Sequence, residues 1–303
     1  MELSPARKGL ISMQQCQPEG RPLPKMQSEA SQKISRRTVI GLAAAGTFLV
    51  GPRGLAQTRQ ERGRQIIDEA LQKLGGDAFL EVRNITAAGR AYSFYNAQVT
   101  GLARVTMYDR FEAMQPNMDS EWLPVSRREV YTEEGDYYSV FRNGKGWEVT
   151  YLGARPMLPD VLERYRIGVR RDFFYFLRYR MDEAGLYFYH AGAEIIDNEP
   201  TEAVEITDSE GELVTIYFRR SDGLPHQQLY LRRDPKTRVP YEEKTIWSKY
   251  RKVGGAILPW NIRRERDGDR IFEQYASEVE VNQPLDDKLF DLPTGVQMLD
   301  PEI

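Results

Sequence analysis

The chain has 303 residues, 41% of them apolar and 29% charged, enough for a sizeable core and ordinary for a soluble globule. Its formal net charge is −3 and no basic block stands out, which argues against a nucleic-acid binder. Cys16 is the one cysteine, so disulfide and thiolate chemistry are excluded from everything beyond the N-terminus.

Taken in order, the first signal is Ser35-Arg36-Arg37-Thr38, followed by an apolar run over 41–50 and the small-residue stretch Gly54-Leu55-Ala56. A paired Arg36 and Arg37, a short apolar segment and small residues at the end make a twin-arginine export signal, with cleavage expected after Ala56. The run is far short of the ~20 residues that span a bilayer. An uncleaved signal acting as an anchor is the alternative, because Arg53 is an unusual neighbour for a cleavage site. The residues before Met26 have no apolar period, and a signal starting at Met26 has a conventional basic region, so translation is expected to start there rather than at Met1. Residues 1–56 hold 8 of the 42 basic and 3 of the 45 acidic residues, which leaves the rest with a net charge of about −8. No lipid-accepting cysteine follows the signal. The expectation is a free periplasmic protein formed by a single domain, 57–303.

The pattern over 58–74 is helical, with Ile66, Ile67, Ala70, Leu71 and Leu74 on one stripe and Gly75-Gly76 as the stop. Strands follow over 79–95, with Gly89 as a kink, and over 100–111, then a meander over 125–132, 137–142 and 147–151. The rhythm breaks at 158–184, which reads as one helix capped by Asp160. Its centre, RRDFFYFLRYR, is aromatic and basic. It is either a helix packed on the sheet with its arginines reaching water, or a membrane-facing or ligand-gating element. Strands resume over 186–189, 194–198, 201–207, 213–219 and 225–232. The closing stretch, 241–293, holds three more runs separated by Gly254-Gly255 and Asp267-Gly268, pairs that accept the positive φ of tight hairpins. Eleven or twelve strands at this spacing predict a mainly antiparallel sandwich or barrel.

Catalytic sets are missing from the pattern. His190 and His226 are the only histidines and neither has a second ligand at metal spacing. There is no G-x-S-x-G elbow, phosphate loop or nucleotide fingerprint. Acidic pairs such as Glu133-Glu134, Glu242-Glu243 and Asp286-Asp287 fall at turns and strand edges. The reading is therefore no enzyme, no cofactor and no metal. What remains is a surplus of strand aromatics: Trp147, Trp247, Trp260, Tyr217, Phe218 and Tyr250. In 213–218 both faces are apolar, so one face needs a helix and the other a cover or a ligand.

The tail carries a family likeness. WSKYRKVGGAILP (247–259) and VNQPLDDKLF (281–290), with the turn DGLP (222–225), resemble segments of exported relatives of the LolA/LolB-type outer-membrane lipoprotein-sorting proteins. The likeness covers roughly 60–293 and its motifs are structural rather than catalytic. It implies an α+β fold, an incomplete barrel of about 11 strands with helices over the concave side, around a cavity for acyl chains. The partner expected from it is a lipid or an acylated lipoprotein, with peripheral membrane contact. The candidate ligand-binding residues are Phe173, Phe176, Leu177, Tyr217, Trp247 and Trp260. The function read from these is a non-enzymatic periplasmic carrier or sensor. Its alternative is an envelope interaction or assembly module with a self-filled core, and an enzyme acting on envelope lipids or glycans is a third reading.

Overall fold

The computed structural model describes residues 57–114, 122–132, 135, 137–234 and 237–301. Arg36, Arg37 and Ala56 lie outside them. Helix α1 (Arg59–Leu74) opens with a capping box in which Glu61 N donates to Thr58 Oγ1 at 3.1 Å and Thr58 N to Glu61 Oε2 at 2.8 Å. It buries Ile66, Ile67, Ala70 and Leu74 and stops at Gly75, where φ is 122°. One further turn, α2 (Asp77–Leu80), replaces the start of the first expected strand.

The strands then run β1 (Asn84–Tyr95), β2 (Gln98–Phe111), β3 (Val125–Val130), β4 (Tyr138–Arg142), β5 (Lys145–Thr150) and β6 (Gly153–Pro156). Two helices, α3 (Pro159–Arg171) and α4 (Phe173–Tyr179), separate these from β7 (Tyr187–Ile196), β8 (Glu199–Thr207) and β9 (Leu213–Arg219). The chain ends its strands with β10 (Pro225–Arg233), β11 (Pro240–Val253), β12 (Ala256–Arg266) and β13 (Asp269–Val281). All thirteen form one antiparallel sheet, ordered β6-β5-β4-β3-β2-β1-β13-β12-β11-β10-β9-β8-β7. The first strand pairs with the last, and β6 and β7 are the two edges. It is the open half-barrel that the family likeness implies, with thirteen strands rather than about 11; β6 was not expected, and the expected runs 186–189 and 194–198 form one strand, β7.

Hairpin turns sit at the predicted pairs Gly254-Gly255 and Asp267-Gly268, and at Asn143-Gly144, each with positive φ. Asn96-Ala97 and Asp197-Asn198 do the same at turns without glycine. The sheet has a helix-bearing inner face and an outer face. On the inner face α1 and α4 pack on β7 to β12 through Ile67, Leu74, Phe173, Phe218 and Trp247. On the outer face the tail folds back over β3 to β6. Phe290, 1% exposed, packs there with Tyr138, Val140 and Val149, and ion pairs Arg110–Asp287 and Arg142–Asp291 fasten the segment. Further on, the backbone of Ala154 exchanges 2.8 Å hydrogen bonds with Gln297 and Leu299, so the tail lines the β6 edge.

The seam between β1 and β13 is irregular. Gly89 pairs with Ala276 and Ala88 with Glu278, so Ser277 is an extra residue, tied by its Oγ to Ala88 O at 3.1 Å. The bulge puts Val279 and Val281 on the inner face and Tyr275 on the outer one, where unbroken alternation places all three together. A Cβ on Gly89 would meet Tyr275 O at 2.0 Å. Gly89→Ala is therefore expected to cost at least ~1–3 kcal/mol by overpacking the seam, read as a lower urea midpoint.

Candidate functional site

The aromatic segment expected to be one helix is two. Asp172 is extended (φ −62°, ψ 130°), ends α3 and caps α4, accepting from Phe174 N at 3.0 Å and Tyr175 N at 3.1 Å through Oδ1. At its other end α3 starts with Pro159 in its first turn and Leu158 at the cap, so Asp160 lies inside the helix rather than capping it. Phe173 N donates to Oε1 of the buried Gln228 at 3.1 Å, which anchors the start of α4 to β10.

The far end of α4 is held by Arg178. Its guanidinium donates to the carbonyls of Phe79 (2.6 Å), Leu80 (3.1 Å) and Val82 (3.1 Å), and lies over the rings of Phe79 and Phe111 at 4.3 and 4.4 Å. Burial pulls its pKa down to about 10, so it remains charged at neutral pH.

Between these two anchors, α4 presents a set of rings to the inner face. Phe173 meets Phe218 edge-on at 5.3 Å, Phe174 meets Trp247 at 5.2 Å, and Phe176 meets Phe188 at 6.2 Å. A crevice of about 20 Å³ remains beside α4, floored by Phe173, Phe176, Leu186, Ile206, Val214 and Ile216. That is space for roughly one water-sized probe. Charges rim it: Arg180 bonds Asp208 at 2.9 Å and Glu183 at 2.5 Å, and Arg171 pairs with Glu212. A larger concavity, about 940 Å³, lies on the outer face across β13, β1 and β2.

The six candidate residues fall in three places. Phe173, Phe176, Leu177 and Trp247 are 1%, 5%, 3% and 1% exposed and belong to one buried cluster, with Phe173 and Phe176 on the crevice. Tyr217 is buried on the outer face, where it pairs with Gln227 and Ala203 while Ile216 and Phe218 point inward. Trp260 is half-buried beneath the Arg251 guanidinium at 4.2 Å and joins none of the buried hydrophobic clusters. Leu186, Ile206, Val214 and Ile216 line the crevice without having been singled out. For Val214 and Ile216 the signal was the two-sided apolar pattern of 213–218, whose inner face alternation alone does not choose; Leu186 and Ile206 lie outside that pattern. Among the described residues no group of three or more His, Cys, Asp or Glu is placed to hold a metal ion, and no helix is long and apolar enough to cross a membrane.

This architecture defines a class, the open antiparallel half-barrel filled by helices. Among solved structures the chain is similar to a DUF1329 family protein from Desulfovibrio piger, with a TM-score of 0.51 and 14% identity over 78% of this chain and 98% of that one. It is also similar to a putative outer membrane lipoprotein-sorting protein domain from Vibrio parahaemolyticus (TM-score 0.46, 11% identity, 77% and 97% covered). A LolA superfamily protein from Nitrosomonas europaea aligns as well (TM-score 0.44, 12% identity, 75% and 96% covered). No protein-family model matches the chain, and no curated protein matches it in sequence. The likeness to the Desulfovibrio piger protein is one of fold.

Asp172 gives the site a pH signature. Burial pushes its carboxyl above the usual range, against the pull of the Tyr175 and Phe174 amides and of Arg127 and Arg264. The folded state therefore holds its proton more tightly than the unfolded chain, so this contribution is present near pH 4 and is lost as pH rises through the raised pKa. Denaturation from pH 4 to 7 is expected to show that decline in the wild type and not in Asp172→Asn.

Proposed function

We infer that the chain is an exported, non-enzymatic carrier or sensor that takes a lipid or lipoprotein acyl chain on the inner face of its half-barrel, beneath α4. The observation that supports this reading best is the crevice beside α4. It has an apolar floor and a charged rim, and its roof is a 7-residue helix with a break at one end. The apolar surface beneath this short helix suits an acyl chain. The tail motifs that resemble LolA/LolB-type proteins support the same cargo. The second reading, an interaction or assembly module with a self-filled core, is favoured by the small size of the crevice.

Native mass spectrometry of protein taken from a periplasm separates the two. A non-covalent mass that survives gentle conditions and vanishes on solvent extraction supports the carrier. A clean apo mass, with no uptake of a fluorescent fatty-acyl probe, overturns it. Phe176→Ala adds a residue-level test. Phe176 is packed, so the variant is expected to lose ~3–5 kcal/mol of stability. The carrier reading also requires it to retain less probe per folded molecule. Unchanged retention assigns α4 to the core alone.

Export is a separate part of the proposal. Mature protein is expected to begin at Gln57 and to be absent from the periplasm when Arg36 and Arg37 are both changed to Lys. Periplasmic protein that still carries residues 1–56 refutes cleavage.

A further inference from the structure

The outer face of β7, β8 and β9 has a dip between two carboxylates. Gly192, Ala203 and Tyr217 stand in one row across the three strands. Gly192 has no side chain, and a Cβ built there would meet nothing within 4 Å. The next row on one side carries Glu205, between Tyr189 and Thr215, and the row on the other side carries Glu194, opposite Thr201. Neither glutamate side chain has an ion pair or a hydrogen bond among the described residues. Tyr217 is 9% exposed, and its hydroxyl makes no hydrogen bond among the described residues. Burial raises the pKa of that hydroxyl, the charges of Glu194, Glu242 and Glu205 raise it further, and no cation opposes them. A buried hydroxyl and two free carboxylates facing one dip attract a guanidinium or an ammonium group.

The cations of this face are placed around the dip. Arg59, from α1, lies over the Tyr189 ring at 5.3 Å and donates to its hydroxyl at 2.5 Å. This surface thus already takes one guanidinium on a tyrosine. Lys244 stands between Glu242 at 3.6 Å and Glu265 at 3.7 Å, Arg219 pairs with Asp222, and Arg233 is at the far end of β10. Beside the dip runs an exposed apolar row. Tyr187 is two residues before Tyr189, and Leu213 and Leu231 are each two beyond the Thr215–Leu229 pair; they are 46%, 45% and 66% exposed. Aliphatic and aromatic groups next to a socket for an arginine are the anchors of a protein interface. A bilayer fits this face poorly, because Glu194 and Glu205 would stand against lipid phosphates.

We propose that the outer face of β7 to β10 docks a basic segment of another protein, with an arginine or lysine entering the dip between Glu194 and Glu205 and apolar side chains covering Tyr187, Leu213 and Leu231. This face lies on the opposite side of the sheet from α4, so the proposal goes beyond the carrier reading and stands without it.

The test is fluorescence anisotropy with two short labelled peptides, one of alternating arginine and leucine and one of alternating glutamate and leucine. Binding is expected only for the first, and it weakens as salt rises. Exposed ion pairs are worth roughly two- to fivefold each, so the double variant Glu194→Gln, Glu205→Gln is expected to bind about 4- to 25-fold more weakly. Glu278→Gln with Glu280→Gln removes the same charge from exposed positions on β13 and is expected to leave affinity close to wild type. Leu213→Ser with Leu231→Ser reduces binding without changing its salt dependence. Unfolding temperatures measured on every variant separate lost contacts from lost folding. Fatty-acyl probe uptake is expected to be unchanged in the Glu194, Glu205 variant, which keeps failure of this face distinct from failure of the carrier reading. An equal loss in the β13 variant reduces the attraction to net charge and overturns the proposal, as does equal binding of the two peptides. A concentration-dependent dimer abolished by the leucine variant overturns it in favour of a second copy of the chain, and flotation with phosphatidylcholine vesicles that the same variant abolishes overturns it in favour of lipid.

Discussion

The pairing of the first strand with the last is the constraint on which this fold depends. Without β1 against β13 the chain is two separate meanders of six and seven strands. With it, the sheet is continuous, its two edges are β6 and β7, and the only connection between them is α3 with α4. That connection has to travel from one end of the sheet to the other, and the short path is across the inner face. The position of α4 over Trp247 and Phe218 thus follows from strand order before any side chain is considered. The same pairing places α1, which precedes β1, on the inner face at the middle of the sheet, from where it reaches β7. These contacts join distant parts of the chain and bring the loop-closure cost that makes such sheets slow to fold.

How firmly α4 is seated sets what the inner face can do. Its apolar contacts are supplemented by polar ones at both ends: Asp172 and Gln228 at the start, Arg178 on three carbonyls at the finish. Hydrogen bonds to a charged group are worth roughly 1.5–3 kcal/mol each, so lifting the Arg178 end costs several kcal/mol. An acyl chain gains about 0.8 kcal/mol per buried CH₂. On the carrier reading an occupant must also replace the packing that Phe173, Phe176 and Leu177 lose, so only burial of many CH₂ groups offsets the release of α4.

Much of the fold was legible in the sequence, and the misses have specific causes. Positive-φ pairs such as Gly254-Gly255 marked hairpins because few residues adopt that backbone freely. Asn96-Ala97 and Asp197-Asn198 adopt it as well, and no glycine announced them. The split of α3 from α4 was hidden because Asp172 reads as one more polar position in a helical run, when its carboxylate serves as a cap. Period-two alternation carried through Ser277 puts Tyr275 on the same face as Val279, and a bulge is invisible to such a count. Tyr217 was paired with the inner aromatics for a related reason: with both faces of its strand apolar, the pattern does not say which one meets the helices. The strand order, which decides where everything sits, left no local mark.

An open sheet has two rows of unpaired backbone groups, one at each end, and each is a template on which another chain can grow. Here the two ends are treated differently. At β6 the tail supplies a parallel bridge through Ala154 and Met298, occupying part of that short strand. At β7 the helix α1 comes close enough that a Cβ on Gly63 would stand 3.2 Å from the backbone of Phe188, Tyr189 and His190. Polymerisation by strand addition needs a free edge at both ends of every unit. With one end occupied by its own tail, the sheet has lost the repeat that an unlimited fibre requires.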